Sequence, residues 1–253
     1  MAYRKVEAGQ GVAWFKESWR LFMRAPLLIF GQILLILLLG VVTSMLPLFG
    51  PLAASIFGPV VLAGLFYTLA DLDQGRTPLF SRLFDGFQAP FKPLAILGLI
   101  MLGIQMLAVM LLMIGIGALM GFQGMPGAFG SSDAILDPTF IAGLGGGAIL
   151  LFLLLLIPLA MAFYFAVPLV AIAGKPPVEA LKESFYAVLA NWPAFLVFSL
   201  VYLVLAVLAS IPFGLGWLLL GPLLLVSIYV AFRDIFNLAA TTPSVQPDES
   251  KPF

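Results

Sequence analysis

At 253 residues, of which 62% are hydrophobic and 9% charged, with a mean hydropathy of +1.15, the chain departs from the soluble norm of about 25% charged residues and belongs in lipid. Net charge is zero and the twelve Lys and Arg residues are scattered, which argues against a nucleic-acid partner. Without a Cys there is no disulfide or thiolate chemistry, and without a His the commonest metal ligand and general base are missing.

The first element expected is an amphipathic helix. Val12, Phe15, Trp19 and Phe22 fall on one face, and Lys16, Arg20 and Arg24 follow one another at i, i+4, i+8 on another. Such a helix lies in the headgroup plane, and the basic residues ahead of the first span suit anionic lipid at about 1 kcal/mol each. No short apolar leader with a small-residue cleavage site is evident, so the first span is expected to act as an uncleaved signal.

Four stretches without charge follow: Ala25 to Ala70, Pro93 to Ser132, Pro138 to Gly174 and Ser184 to Phe232. A hydrocarbon core of about 30 Å takes about 20 helical residues, so the first and last are long enough for two crossings each. Pro47 to Pro51 and Pro212 to Gly216 supply the turns. Six spans are predicted at about 26–46, 51–70, 94–121, 147–172, 193–211 and 214–232. All Lys and Arg then fall on one side, which makes that side, with both termini, cytoplasmic.

Ahead of the third span, Phe80, Leu83, Phe84, Phe87 and Phe91 oppose Arg82, Asp85 and Gln88. Ahead of the fifth, Val178, Leu181, Phe185, Val188 and Leu189 oppose Glu179, Lys182 and Glu183, with Pro177 suited to a first helical turn. The even spans carry Gly58-Pro59, Ile157-Pro158 and Gly221-Pro222, and Asp71 and Asp234 follow two of these prolines at the same offset. The fold class is therefore all-α membrane protein, six spans as three hairpins, each preceded by an interfacial amphipathic helix, in a threefold internal repeat. The competing explanation is that amphipathic flanks and mid-span prolines are common to any chain of such hairpins. Residues 1–240 form one transmembrane domain; residues 123–146 read as an external loop and 241–253 as a disordered cytoplasmic tail.

Gly9-Gln10-Gly11 with Trp14, Trp19, Leu21-Phe22 and Pro26, the Pro59 to Gly64 segment, Leu83 to Phe87, Ala180 to Phe185, Asn191-Trp192-Pro193, and Tyr229 to Asp234 together resemble a family of bacterial six-span inner-membrane proteins of uncharacterised function. The chain is similar to YciC-like proteins and to the membrane domain joined to some glycerophosphodiesterases. The resemblance implies a bacterial inner membrane and a helical bundle. It carries no catalytic motif, and the phosphodiesterase domain of some relatives is absent.

Chemistry-bearing groups are few. Among Asp71, Asp73, Asp85 and Asp234, three carboxylates could hold magnesium near a phosphate headgroup; the favoured reading is that Asp71, Asp73 and Asp234 are solvated charges paired with Arg76, Arg82 or Arg233, because no signature spacing supports the metal. No ionisable Asp, Glu, Lys or Arg falls inside the spans, which counts against an ion-coupled pump. Gln32 and Gln105 are expected as buried interhelical contacts, with a solute path as the alternative. Neither an enzyme nor a cofactor is indicated. The expectation is a non-enzymatic inner-membrane protein acting in envelope or lipid organisation or as a subunit of a membrane assembly, the alternative being a passive permease. Its expected partners are anionic lipid headgroups, other membrane proteins or further copies of itself, with contacts through Lys16, Trp19, Arg20, Arg24, Arg82, Phe84 and Phe185.

Overall fold

A computed structural model of the chain describes residues 3–46, 49–88, 90–124, 154, 156–211 and 213–237. Among these, regular structure is entirely helical: α1 (Gln10–Phe22), α2 (Pro26–Ser44), α3 (Gly50–Asp73), a 3₁₀ helix (Phe80–Phe87), α4 (Phe91–Gly124), α5 (Ala166–Ala171), α6 (Pro177–Ala190), α7 (Trp192–Ser210) and α8 (Trp217–Ile235). Proline sets several starts, because its missing N–H costs nothing in a first turn: α2, α3, α6 and α7 all carry one at their first or second position.

Among the described residues, five helices are long and apolar enough to cross a membrane: Pro26–Ser44, Gly50–Asp73, Phe91–Met113, Trp192–Ser210 and Trp217–Ile235. The expected fourth span lies partly outside the described residues. Its described portion is a shorter apolar helical stretch, Leu156–Ala171, interrupted at Phe165 before α5. Of the loop expected at 123–146, Gln123 and Gly124 belong to α4 and the rest lies outside the described residues, as does the tail from 241.

The spanning helices divide into two kinds. In α3 and α8, 50% and 56% of the apolar window is buried, against 11–17% in α2, α4 and α7. The first two are therefore central and the other three peripheral. Burial in the central helices is lopsided: α3 is buried mainly from Pro59 to Leu72 and α8 from Leu220 to Ile235, whereas Leu52, Phe57, Trp217 and Leu218 are exposed. Ile29, Phe66, Leu69, Phe165 and Phe232 fill the middle of the packed half. Leu34, Leu37 and Leu38 on α2 and Leu200, Leu203 and Val207 on α7 face outward, an apolar exterior that suits acyl chains.

The short helices wrap the packed half. The 3₁₀ helix lies on α3, α6 on α5, and α1 on α8 and α7. In chain order, each short helix sits on the helical segment that ends the preceding pair, and the first sits on the last. Small residues bring the backbones together. A Cβ added to Gly64 would stand 1.8 Å from the Leu83 carbonyl oxygen, one on Gly86 2.1 Å from that of Val60, and one on Gly11 2.3 Å from that of Ala194.

Two sequence expectations are refined here. The face of α1 that packs on protein is Gly11, Trp14, Ser18, Leu21 and Phe22, so that Phe22, expected on the membrane-facing side, is buried in protein, while Val12 and Trp19 of that side are exposed. The segment from Phe80 is 3₁₀ rather than α, with Leu83 and Gly86 turned to α3, the partly exposed rings of Phe80 and Phe87 against Gly31 of α2 and Phe57 of α3, and Phe84 exposed. Three residues per turn stacks positions i and i+3, which aligns Arg82, Asp85 and Gln88 on one edge.

Candidate functional site

All the described ion pairs gather at one end of the bundle, where the short helices meet the ends of α3 and α8. Asp71, buried in the last turns of α3, accepts from Arg82 Nε at 2.8 Å and lies 2.5 Å from an Arg76 nitrogen. Arg82 also donates to Asp85 at 2.6 Å, and its guanidinium lies 5.3 Å from the centre of the Tyr67 ring. The hydrogen bond to Asp85, followed by the charge and hydrogen bond of Asp71, outweighs desolvation and holds Arg82 above its ordinary pKa. A cleft of about 410 Å³ opens beside this cluster, lined by Tyr67, Arg82, Asp85, Gln88, Pro90 and Ala171.

Asp73, two residues further on, accepts from Arg233 Nη1 at 2.6 Å. The other terminal nitrogen of Arg233 binds Glu17 of α1, so one guanidinium joins α1, α3 and α8. Arg24, just past α1, donates through Nη1 to the carbonyls of Leu72 and Asp73 at 2.7 and 3.3 Å, a cation placed where the helix dipole leaves negative charge.

Asp234 completes the ring. It accepts from the Trp14 indole at 2.8 Å and pairs with Arg4, whose backbone N–H also donates to the Ile235 carbonyl at 2.9 Å. Asn191 holds the same N-terminal segment, donating to the Arg4 carbonyl at 3.0 Å and accepting from Val6 N–H at 2.8 Å. On the third side Lys175 pairs with Glu183 at 2.7 Å. Ser184 repairs the helix interruption: Phe165 N–H donates to its hydroxyl at 2.9 Å, and the hydroxyl donates to the Met161 carbonyl at 2.7 Å. The hydroxyl thereby stands in for one missing i→i−4 bond.

The seven residues expected as lipid contacts separate into two groups. Lys16, Trp19 and Arg20 are exposed on α1 and Phe84 on the 3₁₀ helix. Arg24 and Arg82 instead tie helices together, and Phe185 is partly buried against Tyr186, ring centres 5.4 Å apart. The two glutamines differ as well. Gln32 is fully buried and donates to Thr68 Oγ1 at 3.1 Å and to the Phe80 carbonyl at 3.2 Å, while its Oε1 has no hydrogen-bond partner. Gln105 is exposed on α4, with Ser55 Oγ 3.5 Å from its Oε1, so it is not the buried contact expected; α4 lies at the periphery at that level. Sequence reasoning gave no site role to Arg4, Trp14 or Asn191. The Asn-Trp-Pro run at a helix junction was the available signal for the last.

An apolar exterior around central helices whose ends are tied by ion pairs defines an α-helical integral membrane protein. The chain is 30% identical over 232 residues to a probable inner membrane protein of Burkholderia thailandensis, a match covering 85% of this chain and 79% of that one. It belongs to that family of inner-membrane proteins. No family model and no solved structure matches it.

Proposed function

We propose that the protein is a non-enzymatic scaffold of the bacterial inner membrane that organises lipid or serves as a subunit of a membrane assembly. In this reading it has six spans in three hairpins, each led by an interfacial helix, with both termini cytoplasmic. The observation that carries it is the cyclic docking of the short helices: the 3₁₀ helix on α3, α6 on α5 and α1 on α8. A threefold repeat closed into a ring accounts for that order, and Leu156–Ala171 takes the place of the fourth span. Relation to YciC-like proteins and to the glycerophosphodiesterase membrane domain is part of the same proposal; Gly11, Trp14, Leu83 to Gly86 and Asp234, which carry the resemblance, all sit at these junctions.

A static role is supported by the full burial of Phe66, Phe165 and Phe232 in the core, and by the pairing of Asp71, Asp73, Asp85 and Asp234 with arginines. The second reading, a passive permease, draws on one observation, the unpartnered Oε1 of buried Gln32. Purified protein in liposomes separates the two. A scaffold gives no ion, proton or solute flux above empty vesicles and retains identifiable lipids or proteins through purification. Reproducible flux that Gln32→Met abolishes in a folded protein establishes the permease instead.

A further inference from the structure

Where α1, α3 and α8 converge, a cleft of about 170 Å³ is lined by Glu17, Arg20, Leu21, Arg24, Asp73 and Arg233. Three guanidinium groups against two carboxylates leave one positive charge in excess. The three are committed to different degrees. Arg233 spends both terminal nitrogens on Asp73 and Glu17. Arg24 uses Nη1 alone, on two carbonyls. Arg20 is exposed and makes no ion pair or hydrogen bond among the described residues. Both acids of the cleft are thus already bonded to Arg233, and the donors still open belong to Arg20 and Arg24.

Planar guanidinium donors next to an excess positive charge suit an oxyanion, and their fork geometry matches phosphate oxygens. The volume is several times the ~30 Å³ share of a liquid water, enough for a phosphate with its ester atoms and too little for a whole lipid. We propose that this cleft is a phosphate seat in which Arg20 and Arg24 donate to the anion while Arg233, fixed by Glu17 and Asp73, holds the field behind them. Trp19 and Met23 are exposed on the same stretch of chain, so apolar surface adjoins the seat, which favours a phosphate carried by a lipid headgroup over one free in solution. The inference deepens the lipid-organising reading above and rests on it for the source of the phosphate, not for the site.

The full-length protein, purified in mild detergent, is compared as wild type, Arg20→Gln, Arg24→Gln and Lys16→Gln, with folding checked by circular dichroism. Bound phosphatidylglycerol is counted by native mass spectrometry, and inorganic phosphate is titrated separately by calorimetry. Arg20→Gln and Arg24→Gln should lower phosphatidylglycerol retention about tenfold, and Lys16→Gln, one turn away, less than about twofold. Arg20 has no internal contact to lose, so its variant folds even if Arg24→Gln does not. Equal losses in Arg20→Gln and Lys16→Gln overturn the seat and leave the lipid reading standing on diffuse attraction. Inorganic phosphate bound through Arg20, with no phosphatidylglycerol retained, supports the seat and removes lipid from it. Binding of neither ligand overturns the seat.

Discussion

The indole nitrogen of Trp14 donates to Oδ2 of Asp234 at 2.8 Å, across 220 residues of sequence, and so fastens the first helix to the last. The Trp14 ring is itself buried, 5.2 Å from Phe195 and 6.5 Å from Phe198. Trp14→Phe keeps an aromatic ring there but leaves a shielded carboxylate short of a donor, at a cost of about 1–3 kcal/mol. Thermal unfolding in detergent should show a lowered midpoint for Trp14→Phe. Trp14→Phe should cost much less in an Asp234→Asn background; additive losses would mean that the two residues act independently.

Two glycines of α3 should differ sharply on replacement by alanine. At Gly64 the new Cβ meets the Leu83 backbone at 1.8 Å, while at Gly58 nothing lies within 4 Å. The 3₁₀ helix must move away in Gly64→Ala, which should cost about 1–3 kcal/mol or more. Gly58→Ala should be neutral or mildly stabilising, since alanine suits a helix interior better by about 0.5–1 kcal/mol. Similar unfolding midpoints for the two variants would contradict the close packing of the 3₁₀ helix on α3.

Phe84 is 43% exposed, and its ring meets that of Phe87, 6.4 Å away between centres, which in turn stacks on Phe57 of α3. If this face meets the membrane, Phe84→Asp places a charge against lipid and should reduce the yield and thermal stability of the extracted protein. Gln88→Asp, at the 410 Å³ cleft, should do far less. Equal effects would argue that the segment is bathed in water on both edges.

The absence of cysteine makes sidedness testable with single replacements. Cysteines at Ser81, Ser132 and Ser250, of which the last two lie outside the described residues, can be probed with a membrane-impermeant thiol reagent on intact cells. Only the Ser132 position should label from outside. Labelling of the Ser81 position would reverse the proposed orientation of the charged end.

Hydropathy and proline placement made most helix limits legible. The expected starts at 26 and 193 fall at or next to the observed first residues Pro26 and Trp192, because proline is tolerated in a first turn and the preceding helix ends just before it. The packing faces were less legible. A hydrophobic stripe on α1 picks out its bulky exposed residues, Val12 and Trp19, while the surface touching protein depends on Gly11 and Ser18, whose value lies in letting backbones approach. In the second short helix the clue was present but spoke of a different helix type: Arg82, Asp85 and Gln88 are spaced by three, the period of a 3₁₀ turn. The ion pairs of Asp71, Asp73 and Asp234 were expected in kind, but Arg4, which pairs with Asp234, and Glu17, which shares Arg233 with Asp73, are remote in sequence, and only the closure of α1 onto α8 brings them near.

The lopsided burial of α3 and α8 has a mechanical consequence. Near the ion pairs α3 and α8 are buried on most sides by protein, whereas toward Leu52 and Trp217 they keep close contacts with neighbouring helices, at Gly50 against Thr43, at Ser55 against Gly98 and at Gly216 against Ala209, and leave their outer sides exposed. One end is thus a clamp and the other a set of helix pairs whose outer faces are open to lipid. Bilayer thickness and chain order therefore act on the open faces and leave the clamp untouched, so that amide exchange in the far halves of α3 and α8 should vary with lipid composition while exchange around Phe66 and Phe232 stays constant.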